Sequence, residues 1–173
     1  MKKVLVIGSS GAGKSTFARR LGEITGLEVI HLDRHFWNPG WVETPKPEWR
    51  DRVAELLSGE SWIIDGNFGG TMEMRLAACD TVVFLDMPRL VCTWRVIKRV
   101  IAFRNGTRPD MNPGCAERVD LGFWWWTFTY PKRSRPKVEE RLENVRGSKS
   151  VYRLTSDRAV EKFLANLRIK VSI

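Results

Sequence analysis

No apolar run in this chain approaches the roughly 20 residues that a membrane-spanning helix needs, so no spanning segment is expected. The opening "MKKVLVIG" breaks into glycines and a lysine before an apolar stretch of secretory length builds up, which makes the cytoplasm the expected location. Cysteine is scarce. Cys79, Cys92 and Cys115 are odd in number, far apart and without a C-x-x-C pair, which signals neither a disulfide framework nor a zinc site. They read as reduced thiols. His31 and His35 are the only histidines and no third ligand accompanies them, so both read as structural. There is no Gly/Ser or Pro linker and no internal repeat, and the 173 residues are expected to form one domain, 1–173.

Hydrophobic residues make up 43% and charged residues 28%, values of a soluble globular domain with a substantial core. The net charge of +9 is uneven, because residues 1–86 carry −2 and residues 87–173 carry +11. Such asymmetry points to polyanionic partners, either nucleic acid or the phosphates of a nucleotide and its acceptor.

Residues 8–15, Gly-Ser-Ser-Gly-Ala-Gly-Lys-Ser, fit the pattern G-x-x-x-x-G-K-[ST]. An apolar run, Lys3 to Ile7, precedes it, and Phe17, Leu21 and Ile24 follow at helical spacing, the strand–loop–helix context that a phosphate loop requires. Gly8, Ser10, Gly11, Ala12, Gly13 and Thr16 are therefore assigned to nucleotide binding. Backbone N–H groups from Gly11 to Ser15 would wrap a β-phosphate, Lys14 would reach the β- and γ-oxygens, and the Ser15 hydroxyl would ligate Mg²⁺.

Further short β-like runs occur at Glu28 to His31, Trp62 to Ile64, Thr81 to Leu85 and Val151 to Leu154. Helical patterns lie between them, around Trp49–Leu57, Leu90–Ile101, Val138–Val145 and Val160–Leu167. Strands alternating with helices predict an α/β fold with a parallel sheet covered on both faces. Ligands of such sheets bind at the carboxyl ends of the strands, where Asp33, Asp65 and Asp86 fall.

Asp65 ends "SWIID", the place of an aspartate that holds Mg²⁺ through water. Asp86 ends "TVVFLD" and has a claim to the same role, but Asp86-Met87-Pro88 reads as a helix start and assigns it to capping. Asp33, in "HLDRHFWNPGW", stands beside Phe36, Trp37 and Trp41, which suits an acceptor site with a base or metal contact and an aromatic wall.

Arg95, Lys98 and Arg99 fall at i, i+3 and i+4 and form one basic stripe on a helix. The turn-rich "RNGTRPDMNPG" follows, so a flap is expected at about 105–117, with Arg104 and Arg108 able to reach the phosphates. Arg133 and Arg135 in "YPKRSRP" are candidates for the same clamp, because phosphoryl transfer gathers negative charge that arginines balance. Trp124, Trp125 and Trp126 are adjacent and cannot share one helix face, so they should meet different partners within the chain.

The segments "GSSGAGKST", "LDRHFWNPGW", "WIIDGNF", "DTVVFLDMPR" and "RSRP" resemble the adenylate kinase-related P-loop kinases, and within them the DNA topology modulation (FlaR-related) family. The resemblance covers nearly the whole chain. It implies a P-loop NTPase three-layer fold with a five-stranded parallel sheet of order 2-3-1-4-5 and a lid segment. It also implies ATP and Mg²⁺ as cofactors, with Arg95 or Arg99 and Arg133 or Arg135 in the place of the arginines flanking the lid. Asp65-Gly66 resembles the Asp-Gly that ends the third strand of adenylate kinases. Asn67-Phe68-Gly69 stands where adenylate kinases have Phe-Pro-Arg, and "LDRHFW" replaces the "TGD" stretch that helps seat AMP. The expected activity is a Mg-ATP-dependent kinase acting on a nucleoside, nucleotide or other hydroxyl compound, as a monomer or homodimer. The alternative, from the family label and the basic half, is a nucleic-acid-associated P-loop ATPase.

Overall fold

The structure, a computed structural model, describes residues 1–103, 106–108, 110–117 and 120–171, the side chains of Lys170 and Val171 excepted. Five strands form one all-parallel sheet: β1 (Lys3–Gly8), β2 (Val29–His31), β5 (Trp62–Asp65), β6 (Thr81–Leu85) and β7 (Ser150–Leu154). Their order is β2-β5-β1-β6-β7, which is 2-3-1-4-5 when the sheet's own strands are counted in sequence. A separate two-residue hairpin, β3 (Trp37–Asn38) and β4 (Val42–Glu43), was not expected.

The three inner strands are apolar along their length because both faces of the sheet are covered. One face packs Leu5, Ile7, Ile64, Val82 and Phe84 under α3 (Lys46–Leu57), α4 (Met72–Ala78) and α7 (Arg135–Val145). The other packs Val4, Val6, Ile63, Val83 and Leu85 under α1 (Lys14–Thr25), α5 (Arg89–Ala102) and α8 (Asp157–Val171). Alternation along each strand sends successive side chains to opposite cores, so one register slip would exchange the two sets.

Parallel register aligns the strand ends, and that alignment builds the ligand rim. Val6 sits beside Asp65, Gly8 beside Leu85, and His31 beside Asp65. A short helix, α2 (Leu32–Phe36), then carries Asp33 directly off the end of β2. Helix α6 (Leu121–Arg133) closes over the rim; it begins where the Asp120 side chain accepts from Phe123 N, and Pro131 falls in its last turn. Ser134 N still bonds Tyr130 O, after which α7 starts with Pro136 in its first turn.

Asp86 does not cap α5. The N-cap is Pro88, and no side chain bonds the first turn. Asp86 instead lies 3.0 Å from Arg135 and accepts from Arg153 Nε at 2.8 Å. Two arginines from distant segments compete successfully with a local cap because they offer charge-assisted bonds.

Candidate active site

The loop between β1 and α1 leaves α1 without a side-chain cap, since its N-cap, Gly13, has φ 90°. Its first-turn N–H groups therefore face outward unclaimed by a capping side chain, the arrangement that binds anions. Gly11 has φ 73°, and a Cβ there would lie 2.2 Å from the Cys92 carbonyl oxygen, so only glycine lets α5 approach the loop so closely. Gly8 N donates to Asn67 Oδ1 at 3.2 Å, and buried Ala12 donates its N–H to Ser9 O, also at 3.2 Å. Lys14 Nζ donates to Ser9 O at 3.0 Å, which folds the lysine back over its own loop. Thr16 is exposed at the start of α1.

A cavity of about 530 Å³ opens over this loop and reaches Ser10, Lys14 and Asp33 together. Its walls include Trp37, Trp41, Phe68, Phe123 and Trp126, and Arg99 and Arg108 line it as well. Burial lowers the Lys14 pKa, although Asp33 and Asp65 pull it back up. Burial likewise raises the Asp33 pKa, against the opposing charge of Lys14.

Ser15 and Asp65, the expected metal residues, are not among the residues that line this cavity, and each has a neighbour that sequence reasoning missed. His31 Nδ1 lies 2.6 Å from Asp65 Oδ1. Burial disfavours the imidazolium, but the Asp65 hydrogen bond and charge outweigh it and raise the His31 pKa. The Ser15 side chain hydrogen-bonds Asp110; burial alone would raise that carboxyl, and Arg108 with Ser15 holds it down instead. Among the described residues no three His, Cys, Asp or Glu side chains gather as a metal cage. Mg²⁺ would thus rely on Ser15, one carboxylate and the nucleotide's own oxygens.

The arginines divide. Arg99 lines the cavity, lies 3.1 Å from Glu117 and stands 5.7 Å over the Phe123 ring. Arg95 leaves the stripe and binds both Asp157 oxygens at 2.7 Å, while remaining beside Gly13. Lys98 covers the Trp94 ring. Arg135 borders a second cavity of about 450 Å³ that touches Ser9 from the far side of the loop. Arg133 is exposed at the end of α6 and lines neither cavity. Arg104 lies outside the described residues, as do residues 105 and 109 of the expected flap.

The rest of the flap is seated on the β3–β4 hairpin. Gly40 N donates to Gly114 O at 3.0 Å, Trp41 Nε1 to Ala116 O at 2.8 Å, and Asn112 Nδ2 to Trp37 O at 3.1 Å. The three tryptophans do diverge: Trp126 lines the cavity, Trp125 is exposed, and Trp124 is half-buried. Glu117, Asp110 and Glu43 gave no signal of a shared site in the sequence, since the fold is what brings Glu117 to Arg99 and Glu43 to the cavity.

No protein-family model matches this sequence, and no curated protein matches it. Among solved structures, a gluconokinase from Sinorhizobium meliloti 1021 superposes with a TM-score of 0.54 at 14% identity, covering 99% of this chain and 91% of its own. A sugar kinase from Janibacter sp. HTCC2649, in an unliganded structure, gives 0.49 at 19% identity, covering 98% and 91%. The chain has the P-loop NTPase fold, a five-stranded parallel sheet flanked by helices. The gluconokinase likeness bears on the fold that the motif resemblance implies and not on the DNA topology modulation family. No helix of the described residues is long and apolar enough to cross a membrane.

Proposed function

We propose that the protein is a Mg-ATP-dependent phosphotransferase that passes the γ-phosphate of ATP to a hydroxyl acceptor. The observation that carries this reading is a single cavity in which the phosphate-loop lysine, Lys14, and a carboxylate, Asp33, line the same space. The amides of the loop and first turn of α1, from Gly11 to Ser15, bind the β-phosphate, and Lys14 turns from Ser9 O to the β- and γ-oxygens. Ser15 and Asp65 would hold Mg²⁺, which would supply charge neutralisation for the phosphates.

On the other side of the cavity Asp33 accepts the acceptor's hydroxyl proton. The acceptor oxygen bonds to the γ-phosphorus as the bond from that phosphorus to the ADP oxygen breaks, and ADP leaves. Arg99 and Arg108 balance the charge that spreads over the transferring group, and the aromatic walls exclude water. Arg95 orders the nucleotide beside Gly13, while Arg135 supports the loop from behind through the second cavity.

The segment 105–117 serves as the lid, and ATP consumption screened against hydroxyl, nucleoside and nucleotide acceptors tests the reading. Turnover that needs Lys14 and an added acceptor supports it. ATP hydrolysis stimulated by DNA and indifferent to small acceptors would replace it with the nucleic-acid ATPase, a reading the motif resemblance to DNA topology modulation proteins keeps in view.

A further inference from the structure

The charges around the main cavity restrict what the acceptor can be. Three cations line it, Lys14, Arg99 and Arg108, against four carboxylates, Asp33, Glu43, Glu117 and Asp120. Lys14 belongs to the phosphate loop. Arg99 and Arg108 converge on one oxygen of Glu117, at 3.1 Å and 2.5 Å, and Arg108 also meets Asp110 at 2.9 Å. Glu117 is buried, so this is a neutralised cluster at the wall of the cavity.

Two arginines that hold segments beside the cavity lining are committed as well. Arg75, fully buried, donates to the carbonyls of Gly66, Asn67, Phe68 and Thr71 and thereby holds that segment. Arg52 donates to His35 O and to Glu48. Among the described residues, then, Arg52, Arg75, Arg99 and Arg108 each have a protein partner. Among the described residues Asp33, Glu43 and Asp120 line the cavity outside any ion pair, although the charges of Lys14 and Arg108 act on Asp33, and Asp120 uses one oxygen to cap α6.

Rings form the remaining wall. Trp37 and Trp41 meet edge to face at 5.4 Å, and Phe123 stacks on Trp126 at 6.0 Å. An anionic acceptor would bring further negative charge beside these carboxylates and a nucleotide triphosphate, and like charges repel. A neutral ring bearing hydroxyls avoids that repulsion and stacks on the aromatic wall; an amine on the ring gains from both the carboxylates and the π-faces. If the triphosphate draws Arg99 and Arg108 away, Glu117 is left as one more carboxylate, and the preference sharpens.

Resting on the kinase reading above, we propose that the acceptor is a ring-bearing alcohol without negative charge, amine-substituted rings included, and not a sugar acid or a nucleoside monophosphate. About 530 Å³ is room for one such ring beside the γ-phosphate.

The test is equilibrium binding with the nucleotide site filled by a non-hydrolysable ATP analogue and Mg²⁺, using two matched pairs: cytidine against CMP, and glucosamine against gluconate. The expected result is at least tenfold tighter binding of the non-anionic member in any pair that binds, with Glu43→Lys shrinking or reversing that gap. Glu43 is exposed on the hairpin, so its replacement leaves the core intact. Equal or tighter binding of CMP or gluconate overturns the proposal, as does a gap that Glu43→Lys leaves unchanged. Failure of both cytidine and glucosamine to bind at millimolar concentration overturns it too. Binding does not require turnover, so a protein that selects neutral rings yet transfers no phosphate would keep this inference and sink the kinase reading.

Discussion

His31 Nδ1 lies 2.6 Å from Asp65 Oδ1, at the one place where the ends of β2 and β5 pair side by side. An ionised carboxylate only accepts, so Nδ1 carries the proton and donates it. The bond fixes a buried carboxylate beneath the phosphate loop, in the position proposed for the metal. His31→Ala leaves Asp65 without that donor and should destabilise the fold by about 1–3 kcal/mol in urea melts at neutral pH. Unchanged stability would mean that water replaces the imidazole at no cost.

Lys14 contributes charge and no core, being partly exposed within the cavity. Lys14→Ala should keep the fold, by circular dichroism and melting, while ATP consumption falls by at least about 10², the loss of one positioned cationic donor. Normal turnover at saturating Mg-ATP would remove the lysine from the mechanism.

Arg75 shows how a site can depend on a residue that never touches its ligand. Burial pulls its pKa down to about 9, so it remains charged at pH 7 while four carbonyls of the 66–71 loop receive its donors. Arg75→Met should orphan those carbonyls and destabilise by roughly 3 kcal/mol or more, since each unsatisfied buried group costs about 1–3 kcal/mol. The check is a denaturant titration, and a loss under 1 kcal/mol would mean the loop finds other donors.

Much of this fold was legible because its signals are local. The five parallel strands appear as apolar runs within a residue of their observed ends, and the phosphate loop is a contiguous motif between strand and helix. What escaped depends on distant partners. Asp86 reads as a cap from Met87 and Pro88, yet it is claimed by Arg135 and by Arg153, 67 residues away. Two-residue strands such as β3 and β4 carry no periodicity to detect. Glu117 and Asp110 sit in a turn-rich segment whose composition says "loop" and cannot say which basic group each acid meets.

That segment and the hairpin should behave as one unit. Trp41 Nε1 to Ala116 O and Gly40 N to Gly114 O tie them across more than 70 residues of sequence. Trp41→Phe removes one tie and retains an aromatic ring, so limited proteolysis between residues 106 and 117 should accelerate, and a bisubstrate inhibitor should slow it again. Equal cleavage of both proteins, with and without inhibitor, would mark the segment as a passive loop.

Asp33 carries the most specific expectation. It stands one residue past the start of α2, on the rim with Lys14, and burial raises its pKa above the ordinary carboxylate value of 3.8. A base must be ionised to take the acceptor's proton, so kcat/KM for the acceptor should fall as pH drops through this raised pKa. The acid limb therefore lies above the ordinary carboxylate range of about 4. Asp33→Asn should lower acceptor-dependent turnover by roughly 10²- to 10⁴-fold and abolish that limb, with ATP affinity nearly unchanged. Asp65→Asn should instead raise the Mg²⁺ concentration needed for half-maximal rate, because its carboxylate is the one proposed to hold the metal. The two variants thus separate along different axes, one in pH and one in metal. An Asp33→Asn enzyme that keeps both its rate and its acid limb would show that the proton leaves by another route.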